Sequence, residues 1–454
     1  MRTHVPKGHS LTKLDFELLR LPGGEKKEWR SPEYETVAVL IEGECVLTVD
    51  GIARTFRRSS VFTDSASSVF ISPGILLTIE TRLPTIIALC KARATQKHPT
   101  VFVEPSMVKR EWRGREGYRR QVSNIVNTET ATERIAVGET VSEPGQWSSF
   151  PPHKHDTRVE ENGVVVEVPL EEIYYFRTEP KEAVAFHHLY DAQGAFNQVH
   201  PIKDHDVTHI PRGYHPVAAA PGQRVYYLWM LAGDERRYIW NTDPTYRSME
   251  GLEKSWYVRS TNPMAHTWSR KEALDTLTAQ GEGNLLVFEA PGERAEVHLK
   301  DGTIDKVIFT AARGTPVTVT AKDAHSIVVG EGNTARDVYH YLKPGGPAPT
   351  MRLGITRHRG EGTWSSLPHD FELNLEPGFE EIFFHLLTGG SERGIQVGKG
   401  VWCDNSPVHD VWPISDRTFS TVPMGYHPVV GEPGVHVSYI WVYLAKKKEW
   451  EKVK

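Results

Sequence analysis

Cysteine is scarce in this chain of 454 residues. Cys45, Cys90 and Cys403 lie far apart and form no CxxC pair. That excludes a disulfide framework and fits a reducing compartment. No apolar run approaches the roughly 18 residues of a membrane span. The opening Met1-Arg2-Thr3-His4-Val5-Pro6-Lys7 has no apolar core of a secretory signal. A cytoplasmic protein without a membrane partner is therefore expected. A basic surplus is lacking too: 53 Lys+Arg stand against 58 Asp+Glu, for a net charge of −5. A nucleic-acid partner is not expected, because such proteins carry a basic stripe. The chain also lacks a GxxxxGK[ST] phosphate loop, a GxSxG elbow and an HExxH helix. Helical periodicity is rare, and Arg270 to Gln280 is the best candidate for a helix.

What is present is aromatic and apolar. Twelve Trp, sixteen Tyr and sixteen Phe need an interior, which excludes disorder. Apolar residues alternate at period two. Val37-Ala38-Val39-Leu40-Ile41 leads through Glu42-Gly43-Glu44 to Cys45-Val46-Leu47-Thr48-Val49, and Asp50-Gly51 closes that strand as a turn. Val164-Val165-Val166-Glu167-Val168 and Val225-Tyr226-Tyr227-Leu228-Trp229-Met230 read as buried strands. Frequent Pro and Gly punctuation completes an all-β pattern of sandwiches or barrels.

The chain repeats itself. Trp147-Ser148-Ser149-Phe150-Pro151 returns as Trp364-Ser365-Ser366-Leu367-Pro368. Glu171-Glu172-Ile173-Tyr174-Tyr175-Phe176 returns as Glu380-Glu381-Ile382-Phe383-Phe384-His385. Pro211-Arg212-Gly213-Tyr214-His215-Pro216-Val217 returns as Pro423-Met424-Gly425-Tyr426-His427-Pro428-Val429, and Arg120-Gln121-Val122 as Arg336-Asp337-Val338. The near-constant offset marks a tandem duplication of a unit of about 220 residues. Each unit divides again, giving four expected β-barrels over residues 1–105, 106–250, 251–347 and 348–454. A linker is expected near Thr242 to Pro263, around Asp243-Pro244.

Chemistry concentrates in the second barrel. In Pro151-Pro152-His153-Lys154-His155-Asp156, a strand places His153 and His155 on one face and turns Lys154 away. Glu172 follows on an aromatic strand, sharing a face with Tyr174 and Phe176. Glu171 takes its place if the strand register shifts by one. His215 follows the Gly213-Tyr214 turn. Three imidazoles and a carboxylate suit a divalent Zn, Mn, Fe, Co or Ni ion with positions left open for substrate. His200, His205 and His209 fit no metal spacing and read as loop residues.

These blocks resemble the cupin superfamily. Within it they are most similar to the family of 5-deoxy-glucuronate and 5-keto-4-deoxyuronate isomerases, over roughly residues 1–250. The matching text is Trp147 to Asp156, Leu170-Glu171-Glu172-Ile173-Tyr174-Tyr175-Phe176-Arg177 and Pro211 to Val217. The resemblance implies a bicupin (double-stranded β-helix barrels) whose first barrel lacks metal and whose second holds it on His153, His155, Glu172 and His215. It also implies an aldose–ketose isomerisation of a deoxyuronate, as in inositol catabolism, through an enediol. The small-molecule partner is then a sugar acid. Tyr174 is the expected catalytic acid or relay, and Arg212 the expected partner of the substrate carboxylate. Two departures stand out. Family members are shorter than this chain, and Ala185-Phe186-His187-His188-Leu189-Tyr190 has histidines where glutamine or arginine is expected.

In the second unit the HxH block becomes Pro368-His369-Asp370-Phe371, and Arg212 becomes Met424. His369, Glu381 and His427 form a possible second metal site. The favoured expectation is a structural copy, covering apolar surface that a shorter relative buries by oligomerising. A monomer and a homo-oligomer both stay open. Two other functions use the same residues: an Fe(II) cupin dioxygenase, and a non-catalytic cupin that binds a sugar or uronate.

Overall fold

The computed structural model describes residues 2–6, 10–161, 163–249, 267–365 and 379–445. Strands dominate, with four short 3-10 turns among the described residues and no α-helix. The chain divides into two compact units, Met1–Arg247 and Ser248–Lys454. All three cysteines are free thiols.

The first unit begins with antiparallel sheets built around one long strand, Tyr34–Val49. Its apolar alternation sorts side chains to two cores. Ala38, Leu40, Cys45 and Leu47 turn into the barrel interior with Ile87 and Leu89. Val37, Val39 and Ile41 turn outward, onto a core shared with the second barrel. Val49 pairs with Ile52 across Asp50 and Gly51, whose φ values of 49° and 77° make the tight turn expected of Asp-Gly.

The second barrel has two facing sheets. One runs in the order Thr3–His4, Val207–Ile210, Leu170–Glu179, Arg224–Gly233, Ile135–Ser142, Arg120–Val126, Arg110–Arg113. The other runs Trp147–Ser148, Val217–Ala219, Ala185–Tyr190, Asn197–Ile202. On Leu170–Glu179, Ile173 and Tyr175 join the core shared with the first barrel, and Tyr174 and Phe176 the barrel interior. Arg58 of the first barrel is buried against Glu139 of the second at 2.9 Å, and Tyr226 donates to the same carboxylate at 3.1 Å. His200 and His209 sit on strands rather than in loops; only His205 occupies a turn, with φ 67°.

The second unit repeats the seven-stranded order strand for strand: Thr267–Ser269, Thr418–Val422, Glu381–Thr388, His436–Leu444, Met351–His358, Arg336–Leu342, His325–Val329. Three of these strands lie before residue 348, where the fourth barrel was expected to start; the first, Thr267–Ser269, pairs with Thr418–Val422 as Thr3–His4 pairs with Val207–Ile210 in the first unit. His325–Val329 and Arg336–Leu342 nevertheless pair into that barrel's sheet. Apart from Thr267–Ser269, the division by hydrogen bonding falls between Thr320 and His325. Preceding it, among the described residues, is a five-stranded antiparallel meander over Thr278–Thr320, with no second facing sheet.

The helix expected over Arg270 to Gln280 does not form. A single 3-10 turn, Lys271–Ala273, gives way to strand Thr278–Glu282. Glu380 accepts the amide hydrogens of Asp275, Thr276 and Leu277 at 2.8, 2.8 and 2.9 Å, which withdraws them from any helical ladder. The expected linker is structured at its start. Asn241–Thr242 pairs with His153–Lys154, and Tyr246 is buried with its ring 5.2 Å from Phe150. Residues 250–266 lie outside the described residues.

Candidate metal centre

The site grows from side-chain alternation on Leu170–Glu179. Adjacent glutamates take opposite roles. Glu171 turns out of the barrel and accepts the amides of Thr12, Lys13 and Leu14 at 2.8 to 3.2 Å. Glu172 turns inward and is buried. Its Oε2 lies 3.1 Å from His155 Nε2 and 3.2 Å from His215 Nε2. One ligand atom from each of these three residues falls within 4.8 Å of the others. His153 stands beside the group but outside that set, its ring centroid 4.9 Å from that of His215 and 5.5 Å from that of Trp240.

All three imidazoles are oriented the same way. His153 Nδ1 lies 3.0 Å from Pro151 O, His155 Nδ1 3.0 Å from Leu170 O and His215 Nδ1 3.0 Å from Gly213 O. A carbonyl accepts only, so each Nδ1 carries a proton, and on neutral His153 and His215 each Nε2 keeps its lone pair. His215 Nε2 is buried with no hydrogen-bond partner. A buried acceptor left unpaired beside a carboxylate fits a divalent cation, and backbone anchoring of the other nitrogen is the usual support for a ligating histidine.

Charge states agree with this. Burial holds His153 down to about 3 and keeps His215 well below the usual imidazole range, so both rings are neutral. Burial raises the Glu172 carboxyl, against the pull of His155. Burial opposes charge on His155, but the Glu172 contact outweighs it and raises that ring. The pair shares a proton that a bound cation would displace.

The turn that carries His215 is fixed from two sides. Gly213 has φ +87°, and a Cβ there would stand 2.5 Å from Tyr190 O. Its amide donates to Asp156 Oδ2 at 2.8 Å. Lys154 faces away from the cluster, as its strand position requires, and is held by Asp156 and Glu167, each at 2.7 Å.

Tyr174 lies inside the barrel with its hydroxyl 3.1 Å from Ser149 Oγ. Burial, with Glu172 nearby, raises its phenol well above the ordinary range, so it stays protonated. Arg212 is not brought into the cluster. Its guanidinium pairs with Asp191 and lies over the Phe196 ring. Sequence reasoning gave Asp156 no role and singled out His187 only as a departure from the family pattern. Asp156 was legible only as the end of the HxH block. His187 stacks on Tyr174, with ring centroids 5.2 Å apart and planes at 11°, and its Nε2 lies 3.2 Å from His215 O.

In the second unit Glu381 and His427 occupy the corresponding positions. His427 Nδ1 again lies 3.0 Å from a glycine carbonyl, that of Gly425. Its Nε2 is 3.9 Å from Glu381 Oε2. Phe383 stands where Tyr174 stands in the first unit, each facing a tryptophan across the sheet. His369 lies outside the described residues.

A family model described as the KduI/IolB family matches residues 1–249 and 275–454. The chain belongs to the KduI/IolB family. The matched stretches fall in both units. A relative in Shouchella clausii strain KSM-K16, named 5-deoxy-glucuronate isomerase, is 33% identical over 232 residues, covering 50% of this chain and 83% of its own. A protein of the same name in Bacillus subtilis strain 168 is 29% identical over 242 residues, covering 52% of this chain and 87% of its own. A solved structure of an IolB-like protein from Salmonella typhimurium LT2 is 28% identical with a TM-score of 0.49, covering 52% of this chain and 90% of its own.

Proposed function

We propose that this chain is a metal-dependent aldose–ketose isomerase of a deoxyuronate such as 5-deoxy-glucuronate. The observation that carries the proposal is the buried His155–Glu172–His215 cluster, each imidazole pinned through Nδ1 with Nε2 turned inward. It occurs in a member of a family whose relatives are named for that reaction. His155, Glu172 and His215 would hold the ion, with His153 at its edge as the fourth ligand. A divalent ion there supplies Lewis acidity to a carbonyl oxygen.

The chain's own residues do the rest. The reaction moves one proton from C2 to C1 and one between the two oxygens, with no net change in atoms or electrons. Tyr174 keeps its proton and is held by Ser149, so it can donate to the carbonyl oxygen as the enediol forms and recover a proton as it collapses. The apolar walls, Phe176, Tyr227 and Ile210, exclude water from the enediol. The second unit is proposed as a structural copy: its barrel lacks the Tyr174 hydroxyl, and HxH has become His369-Asp370-Phe371.

NMR-monitored incubation of the metal-loaded protein with 5-deoxy-glucuronate tests this. The ketose should accumulate with the wild-type chain and not with His155→Ala. Tyr174→Phe should retain metal and lose about 100-fold in kcat. Unchanged substrate with wild-type protein and bound metal would overturn the isomerase. Oxygen uptake in that sample would mark a dioxygenase, and saturable uronate binding without turnover a binding protein.

A further inference from the structure

Arg120 is an inward-facing cation that meets no carboxylate among the described residues. Opposite residues on paired strands share a face, and the register runs Arg120↔Ser142, Val122↔Thr140 and Thr140↔Tyr227. Tyr227 lines the interior of the second barrel beside Tyr174, ring centroids 4.4 Å apart. Arg120 therefore points into the same interior as Glu172. Neighbouring groups continue the path: Ser142 Oγ lies 2.8 Å from Ser148 Oγ, and Ser149 Oγ lies 3.1 Å from the Tyr174 hydroxyl.

Its partners are few. Arg120 Nη1 donates to Tyr118 O at 3.2 Å, and the guanidinium lies 5.9 Å from the Tyr118 ring centroid. Among the described residues no carboxylate lies within ion-pair distance. Arg212 and Arg177 of this barrel differ: Arg212 is paired with Asp191, and Arg177 with Asp204 and Glu42. Burial lowers the Arg120 pKa, and its charge is felt by Tyr174, Tyr227 and His153. A half-buried cation kept without an anion is unfavourable unless a ligand supplies one. The second unit retains the same device: Arg336 sits at the same register, opposite His358, and donates to Thr334 O at 2.9 Å.

We propose that Arg120, rather than Arg212, anchors the carboxylate of a sugar-acid substrate, across the barrel interior from the His155–Glu172–His215 cluster. The planar guanidinium fork takes a carboxylate through two parallel hydrogen bonds, and a neutral sugar offers it none. The substrate is thereby held by its acid end while its carbonyl end lies at the cluster. The choice of a sugar acid rests on the proposed isomerase reading, but the anchor is testable without turnover.

The test is calorimetric titration of the full-length, metal-loaded chain with D-glucuronate and with D-glucose. The wild-type chain should bind glucuronate about tenfold or more tighter than glucose. Arg120→Gln should abolish that preference and leave glucose binding unchanged; Arg212→Gln should keep it. Arg120→Lys should retain part, because an ammonium offers one point of contact. If Arg120→Gln fails to fold, the Lys variant and wild type carry the comparison, and equal preference in the two overturns the fork. No preference in the wild type, or full preference in Arg120→Gln, overturns the anchor. An Arg120-dependent preference without conversion of 5-deoxy-glucuronate would keep the anchor and remove the isomerase.

Discussion

Two adjacent glutamates show how function and stability separate at the scale of one residue. Glu171 closes a ring of backbone amides at Thr12, Lys13 and Leu14, whereas Glu172 faces two imidazoles. The sequence left the choice between them open, because a one-residue slip exchanges the faces of a strand. The pairing of Glu172 with Ile210 and Leu231 sets the register. Glu171→Ala should lower thermal stability by about 1–3 kcal/mol and leave metal content intact, measured by denaturant melts and elemental analysis. A second residue-scale prediction concerns His187, whose Nε2 lies 3.2 Å from His215 O. At the matching position of the second unit, Gln396 Nε2 donates to His427 O at 2.8 Å. The glutamine expected from family resemblance therefore exists in the chain, in its other copy. His187→Gln should preserve metal affinity, and His187→Leu should reduce it about 10-fold or more, read by competition with a chelator.

Elements were legible where alternation and turn chemistry agreed. Asp50-Gly51 and the faces of Leu170–Glu179 are such cases. They were misread where a distant side chain decides the backbone. Arg270 to Gln280 has helical spacing, but Glu380, far along the chain, claims its amides. The boundary near residue 348 failed for another reason. Arg336-Asp337-Val338 had already been matched to Arg120-Gln121-Val122, so the repeat contained the correct division that length alone obscured. The candidate site was legible as residue types and spacing. Arg120 was not, since its role depends on its meeting no carboxylate among the described residues, which only packing reveals. A prediction at this scale follows from close approach. A Cβ on Gly138 would stand 2.0 Å from Trp229 Cζ2, and one on Gly354 2.1 Å from Trp441 Cζ2. Gly138→Ala and Gly354→Ala should each destabilise by about 1–3 kcal/mol, and only Gly138→Ala should also impair turnover, since Trp229 packs in the barrel that holds the cluster.

For the molecule as a whole, duplication has kept the scaffold and changed the interior. Glu380 caps amides as Glu171 does, and Glu293 takes the amides of Thr350 and Met351 as Glu35 takes those of Glu133, Arg134 and Ile135. Inside the second copy, burial pushes Glu381 up to about 8. A carboxyl raised in the folded state contributes stability below its unfolded pKa of about 4.5, and that contribution is lost as pH rises toward 8. Melting temperature should therefore fall from about pH 5 to about pH 8, and Glu381→Gln should flatten the fall. A bound cation at Glu381 would hold the carboxylate ionised and remove the effect.

The central claim is that the first copy alone is a working metal centre. Elemental analysis of purified full-length wild type, Glu172→Gln and Glu381→Gln tests it most directly, after equilibration with a divalent ion and removal of the excess. The account predicts one tightly held ion per chain in wild type and in Glu381→Gln, and none in Glu172→Gln. Equal metal content in wild type and Glu172→Gln, with both folded, would contradict it.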